Sequence, residues 1–127
     1  MNLSFSVLSK SFVIAKLEPG ASVPGTVMDS RDFMSVTRTD DELSIVCSEH
    51  AGTGLAKVDG PWRAMKIRGP FAFDQTGVLA SFLDPLANAS IGIFAASTFD
   101  TDYVLVKSEN LERAVQALQS AGHRFLA

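Results

Sequence analysis

Hydrophobic and polar positions along this chain change period at definite points. Phe12-Val13-Ile14-Ala15-Lys16-Leu17 runs to a stop at Glu18-Pro19-Gly20, while Phe33-Met34-Ser35-Val36 and Leu43-Ser44-Ile45-Val46-Cys47 alternate on either side of an acidic turn. A period near two marks strands. Between Gly20 and Arg31 the chain holds Pro24-Gly25 and little apolar periodicity, so the first crossover is expected to be short and irregular. His50 to Ala56 is likewise a poor helix, and Trp62 to Arg68 opens a further strand.

The second half is better formed. The loop Gly69-Pro70-Phe71-Ala72-Phe73-Asp74-Gln75-Thr76-Gly77 leads into an apolar stripe of Val78, Leu79, Phe82, Leu83 and Leu86 at helical spacing. Asp74 is placed to cap that helix, and Pro85 predicts a kink or break inside it. Two strands follow, joined by Ser97-Thr98-Phe99-Asp100-Thr101-Asp102. A second helix is expected from a cap at Ser108 through Leu111, Ala114, Val115 and Leu118 to Gly122, with Glu109 and Glu112 at its positive end. His123 to Leu126 would be the last strand.

The order is β-α-β-β-α-β, which predicts an α+β, ferredoxin-like antiparallel sheet with both helices on one face. Sliding Thr37–Glu49 onto Ser97–Glu109, a constant offset of 60, aligns Asp40 with Asp100, Val46 with Val106, Ser48 with Ser108 and Glu49 with Glu109. The expectation is therefore two similar halves in tandem, 1–60 worn and 61–127 well formed.

Composition narrows the functional classes. With 127 residues, 46% of them hydrophobic, the chain can bury a core without staples. A net charge of −3 with no basic cluster argues against nucleic acid, and the single Cys47 excludes an intramolecular disulfide or a cysteine metal cluster. The first ten residues lack the features of a signal peptide, and no run of some twenty apolar residues occurs. A soluble protein of a reducing cytoplasm is expected.

Topology places the Asp74–Gly77 loop and the Ser97–Asp102 hairpin at the same end of the sheet. A helix start with free amides beside an acidic turn suits the two ends of a zwitterion. Amides of Gln75, Thr76 and Gly77 would take a carboxylate, and Asp74, Asp100 or Asp102 an ammonium or basic group, with Phe73 and Thr98 alongside. Each residue also has an ordinary structural role: Asp74 as a cap, Asp100 and Asp102 as turn residues, Thr98 and Ser97 as a cross-hairpin pair, Phe71 and Phe73 as core plugs. Trp62 is expected as buried aromatic mass, and His50 and His123 form no patterned metal pair.

The motifs resemble the ACT domain, the ligand-binding module of amino-acid metabolism. Asp74-Gln75-Thr76-Gly77-Val78-Leu79 looks like the family's Asp-Arg-Pro-Gly-Leu-Leu turn, with Thr76 where proline is common, and Asn88-Ala89-Ser90-Ile91-Gly92-Ile93 like its Ala-Gly-Ile-Asn-Ile strand start. Ser97 to Val106 is similar to the branch of paired ACT domains that includes the cytosolic arginine sensors and small bacterial proteins. The resemblance implies that a small effector, usually an amino acid, binds where the loop meets the strand at Ser90 and Ile91 of a neighbouring domain, and it implies a homodimer. No catalytic motif, cofactor loop or metal constellation is present, so a sensor without catalysis or cofactor is expected. The alternative is a homodimeric interaction module with a vestigial pocket.

Overall fold

Ile45, Val46 and Cys47 follow one another in a strand and all three are buried, so both of its faces are covered at that point. The computed structural model describes all residues from Met1 to Ala127. Its elements are β1 (Ser4–Leu17), α1 (Gly25–Met28), β2 (Ser35–Arg38), β3 (Leu43–Ser48), β4 (Val58–Ile67), α2 (Val78–Asn88), β5 (Phe94–Ser97), β6 (Asp102–Lys107), a 3-10 turn (Ser108–Asn110), α3 (Leu111–Ser120) and β7 (Arg124–Phe125). The chain divides into two compact units: Lys10–Trp62, and Arg63–Ala127 together with Met1–Ser9. The N-terminal segment thus groups with the later residues, which a division at residue 60 does not anticipate.

In the Lys10–Trp62 unit the strand order is β2-β3-β1-β4. β1 runs antiparallel to β3, with Phe12 opposite Ser48 and Leu17 opposite Leu43. On its other side the Lys16 amide donates to the Lys57 carbonyl at 3.0 Å. Val13, Ala15, Val27, Leu43, Ile45 and Cys47 make the core. The crossover is irregular as expected: α1 has four residues and no side-chain cap.

In the other unit the order is β7-β1-β4-β6-β5. Ser4 and Phe5 pair in parallel with Arg124 and Phe125, and the Arg68 amide donates to the Ser4 carbonyl at 2.8 Å. Phe5, Met65, Ile67, Val104 and Val106 occupy alternate positions on their strands and receive Phe82 and Leu86 of α2 and Ala114 and Leu118 of α3. Both helices therefore cover one face. Phe82 is fully buried and meets Phe5 edge to face at 5.4 Å, a burial worth roughly 1.5–3 kcal/mol.

Several local expectations are corrected. Pro85 does not break α2, which runs on to Asn88. A proline at that position leaves the Ser81 carbonyl, four residues back, without its helical donor. His123 supplies one: its Nδ1 accepts from the Leu3 amide at 3.0 Å, so Nε2 carries the proton and donates to Ser81 O at 2.9 Å. Neither Asp74 nor Ser108 caps a helix. α2 starts after Gly77 without a side-chain cap, and Ser108 opens the 3-10 turn with its buried hydroxyl unpartnered. Trp62 is only half-buried, its Nε1 donating to Asp59 at 3.0 Å.

The hairpins correspond at an offset of 59, not 60. Thr39 and Thr98 occupy the same place: Thr39 N donates to Glu42 O at 2.9 Å, and Thr98 N to Thr101 O at 2.8 Å. Each threonine hydroxyl also accepts the amide three residues on, at 3.2 and 3.3 Å respectively. Ser35 faces Val46 as Phe94 faces Leu105. Asp41 is thereby the counterpart of Asp100. A one-residue slip normally exchanges the two faces of a strand, but β3 and β6 bury consecutive residues on both faces, so their apolar runs do not mark the register.

Candidate functional site

The loop between β4 and α2 is tied to the β5–β6 hairpin by backbone contacts that glycine permits. A Cβ on Gly69 would lie 2.7 Å from the Asp100 carbonyl and 3.1 Å from Thr101 Cβ. That closeness lets Phe71 N donate to Asp100 O at 2.8 Å, while the buried Thr101 hydroxyl donates to Ile67 O at 2.6 Å. Ser97 Oγ hydrogen-bonds the Asp102 carboxylate across the hairpin. Between loop and hairpin lies an open cavity of about 220 Å³.

Of the residues expected at a site, Phe73, Gln75, Thr98, Asp100 and Asp102 line this cavity. Asp74, Thr76 and Gly77 belong to the same loop but do not line it. Gly77 has φ +80° and open space around its missing Cβ, so the turn's conformation rather than crowding calls for glycine. Ser90 and Ile91 lie past the other end of α2, away from the cavity. Ser90 is exposed with φ 59°, and Ile91 is 4% exposed, its amide returning to Leu86 O at 3.0 Å. Those two residues form a left-handed helix end with its hydrophobic contact.

Phe71 packs against the core, whereas Phe73 is 78% exposed. Phe73 meets Phe99, also 78% exposed, edge to face at 4.8 Å on the cavity rim. Phe99 and Thr101 were not singled out by sequence reasoning. Their signal was only that they share the turn with Asp100. The cavity thus offers aromatic edges, two carboxylates and the polar side chains of Gln75 and Thr98. No group of three or more His, Cys, Asp or Glu is placed to hold a metal, and no helix is long and apolar enough to cross a membrane.

The fold and cavity define an α+β domain whose cleft opens between a crossover loop and a hairpin turn. A model of the ACT domain matches residues 57–120, half of the chain, and the chain belongs to that family. A second model, for an N-terminal domain, matches residues 10–51. The human cytosolic arginine sensor for mTORC1 subunit 1 is 37% identical over 59 residues, 46% of this chain and 18% of that protein. The match therefore spans less than a fifth of that curated relative. A crystal structure of an Agrobacterium tumefaciens protein superposes with a TM-score of 0.92 at 43% identity, covering 99% of this chain and 93% of that one. The regulatory subunit of aspartate kinase from Thermus flavus shares the fold, with a TM-score of 0.63 at 13% identity, covering 92% of this chain and 95% of that one.

Proposed function

We propose that this chain is a regulatory module without catalysis that binds a small effector, an amino acid, in the cleft between the Phe71–Gly77 loop and the Thr98–Asp102 turn. The observation that carries the reading is the meeting of that loop with two hairpin carboxylates around one cavity. Membership of the ACT family and the likeness to proteins named as an arginine sensor and as a kinase regulatory subunit support it. Binding energy here biases an interface or a partner rather than a bond-breaking step. The same reading holds the two halves to be tandem ferredoxin-like repeats and the protein to be a cytoplasmic homodimer.

A second reading, an interaction module with an idle cleft, is favoured by a shallow apolar groove in which Val7, Leu111, Val115 and Phe125 are accessible. Thermal unfolding against each free amino acid at millimolar concentration separates the two. A ligand at about 100 times its Kd stabilises by about 2.7 kcal/mol, an upward Tm shift of several degrees. A selective shift that disappears in Asp100→Asn is the expected result. Cooperative unfolding unmoved by any amino acid would reject the amino-acid reading in favour of the interaction module.

A further inference from the structure

We propose that the Lys10–Trp62 unit carries a second small-molecule site, for a zwitterion of the α-amino-acid class, in the cleft between residues 16–21 and residues 54–57, with Asp41 of the hairpin turn at its edge. This unit repeats the hydrogen bonding of the other hairpin at an offset of 59, so Asp41 stands where Asp100 stands. The loop following its first strand is also fastened to the hairpin, here by Arg38, whose guanidinium donates to the carbonyls of Pro19 and Ala21, the latter at 2.8 Å. One wall of the cleft and its Asp41 edge are therefore held together before any ligand arrives.

The chemistry of this cleft differs from that of the first. It measures about 640 Å³ and is lined by Lys16 and Lys57 as well as by Glu18 and Asp41. The Lys16 amide donates to the Lys57 carbonyl at 3.0 Å, which sets the two lysines side by side on neighbouring segments. None of the four charged side chains is engaged in an ion pair or side-chain hydrogen bond. Leu17, Ala21 and Leu55, half-buried against the unit's core, supply an apolar floor. A zwitterion answers this layout: its carboxylate meets the ammonium pair, its ammonium meets the carboxylate pair, and its side chain lies on the floor. The first cavity holds carboxylates and no lysine or arginine, so it lacks a cationic partner for a ligand carboxylate.

The inference shares with the proposed function the premise that this fold binds small effectors, and the two are tested apart by amide NMR of the full chain. Free L-amino acids are added one at a time, with the amides of Asp41, Gly54 and Leu55 reporting the second cleft and those of Gln75, Gly77 and Thr98 the first. Saturable shifts at the second set are expected, with Kd raised about tenfold in Lys57→Gln and in Asp41→Asn. A dispersed spectrum elsewhere shows that these surface variants remain folded. Shifts confined to the first set, or second-set shifts that ignore both variants, overturn the inference and leave the first site standing. Shifts confined to the second set uphold the inference and remove the first site. Silence in both sets overturns both.

Discussion

Replacing His123 by alanine tests whether one imidazole makes a proline tolerable inside a helix. The ring holds two backbone groups, the Leu3 amide at 3.0 Å and the Ser81 carbonyl at 2.9 Å, and its centroid lies 5.5 Å from that of Phe82. His123 is 4% exposed, so alanine leaves an unfilled space into which Leu3 N points, and Ser81 O loses a donor that Pro85 cannot replace. An orphaned buried group costs about 1–3 kcal/mol, and with Ser81 O partly reached by water the sum is about 3 kcal/mol. Urea unfolding followed by circular dichroism reads that loss directly. The sharper test is the cycle with Pro85→Ala, which returns an N–H to Ser81 O. That change should help by about 1 kcal/mol more in the His123→Ala background than in the parent. Equal effects of Pro85→Ala in both backgrounds would refute the compensation.

Gly69→Ala drives a Cβ to 2.7 Å from Asp100 O, so the loop and hairpin must part. About 2 kcal/mol of stability should go, with any ligand response in thermal unfolding, whereas Gly77→Ala, with nothing within 4 Å, should cost only its backbone strain of about 1 kcal/mol. Phe82→Ala empties the centre of its cluster and should cost about 3–5 kcal/mol by urea unfolding. Burial raises the pKa of the Cys47 thiol above 9.0, so the folded protein should react with a thiol reagent far more slowly than the urea-unfolded chain. The unfolded thiol ionises first on the alkaline side, so this group's contribution to stability is intact below pH 9 and falls as pH rises through the folded pKa.

What the sequence made legible were the elements whose reasons are local. The stripe through Val78, Phe82 and Leu86 became α2, and Ile45 and Leu105 lie in the strands expected of them. The cleft followed from topology, because strand and helix directions alone bring residues 71–77 to residues 98–102. What escaped depended on distant partners. Ser4 to Ser9 alternates as a strand should, yet its neighbours at Arg68 and Arg124 lie far along the chain. The survival of Pro85 required a histidine 38 positions later. Ser90 and Ile91 looked like a strand start because an apolar residue after a polar one fits a helix terminus equally well.

The 120-residue span between Leu3 and His123 has a consequence for the order of events at the ribosome. Lys10–Trp62 is complete when its own stretch has emerged, and its pairings close short loops. The first nine residues must wait, since Phe5 packs on Phe125 and the Leu126 amide bonds back to the Phe5 carbonyl at 2.8 Å. That segment leaves Leu3 and Phe5 without these partners until residues 123–126 have emerged. The interval before residues 123–126 emerge is therefore when these apolar side chains are most exposed to aggregation.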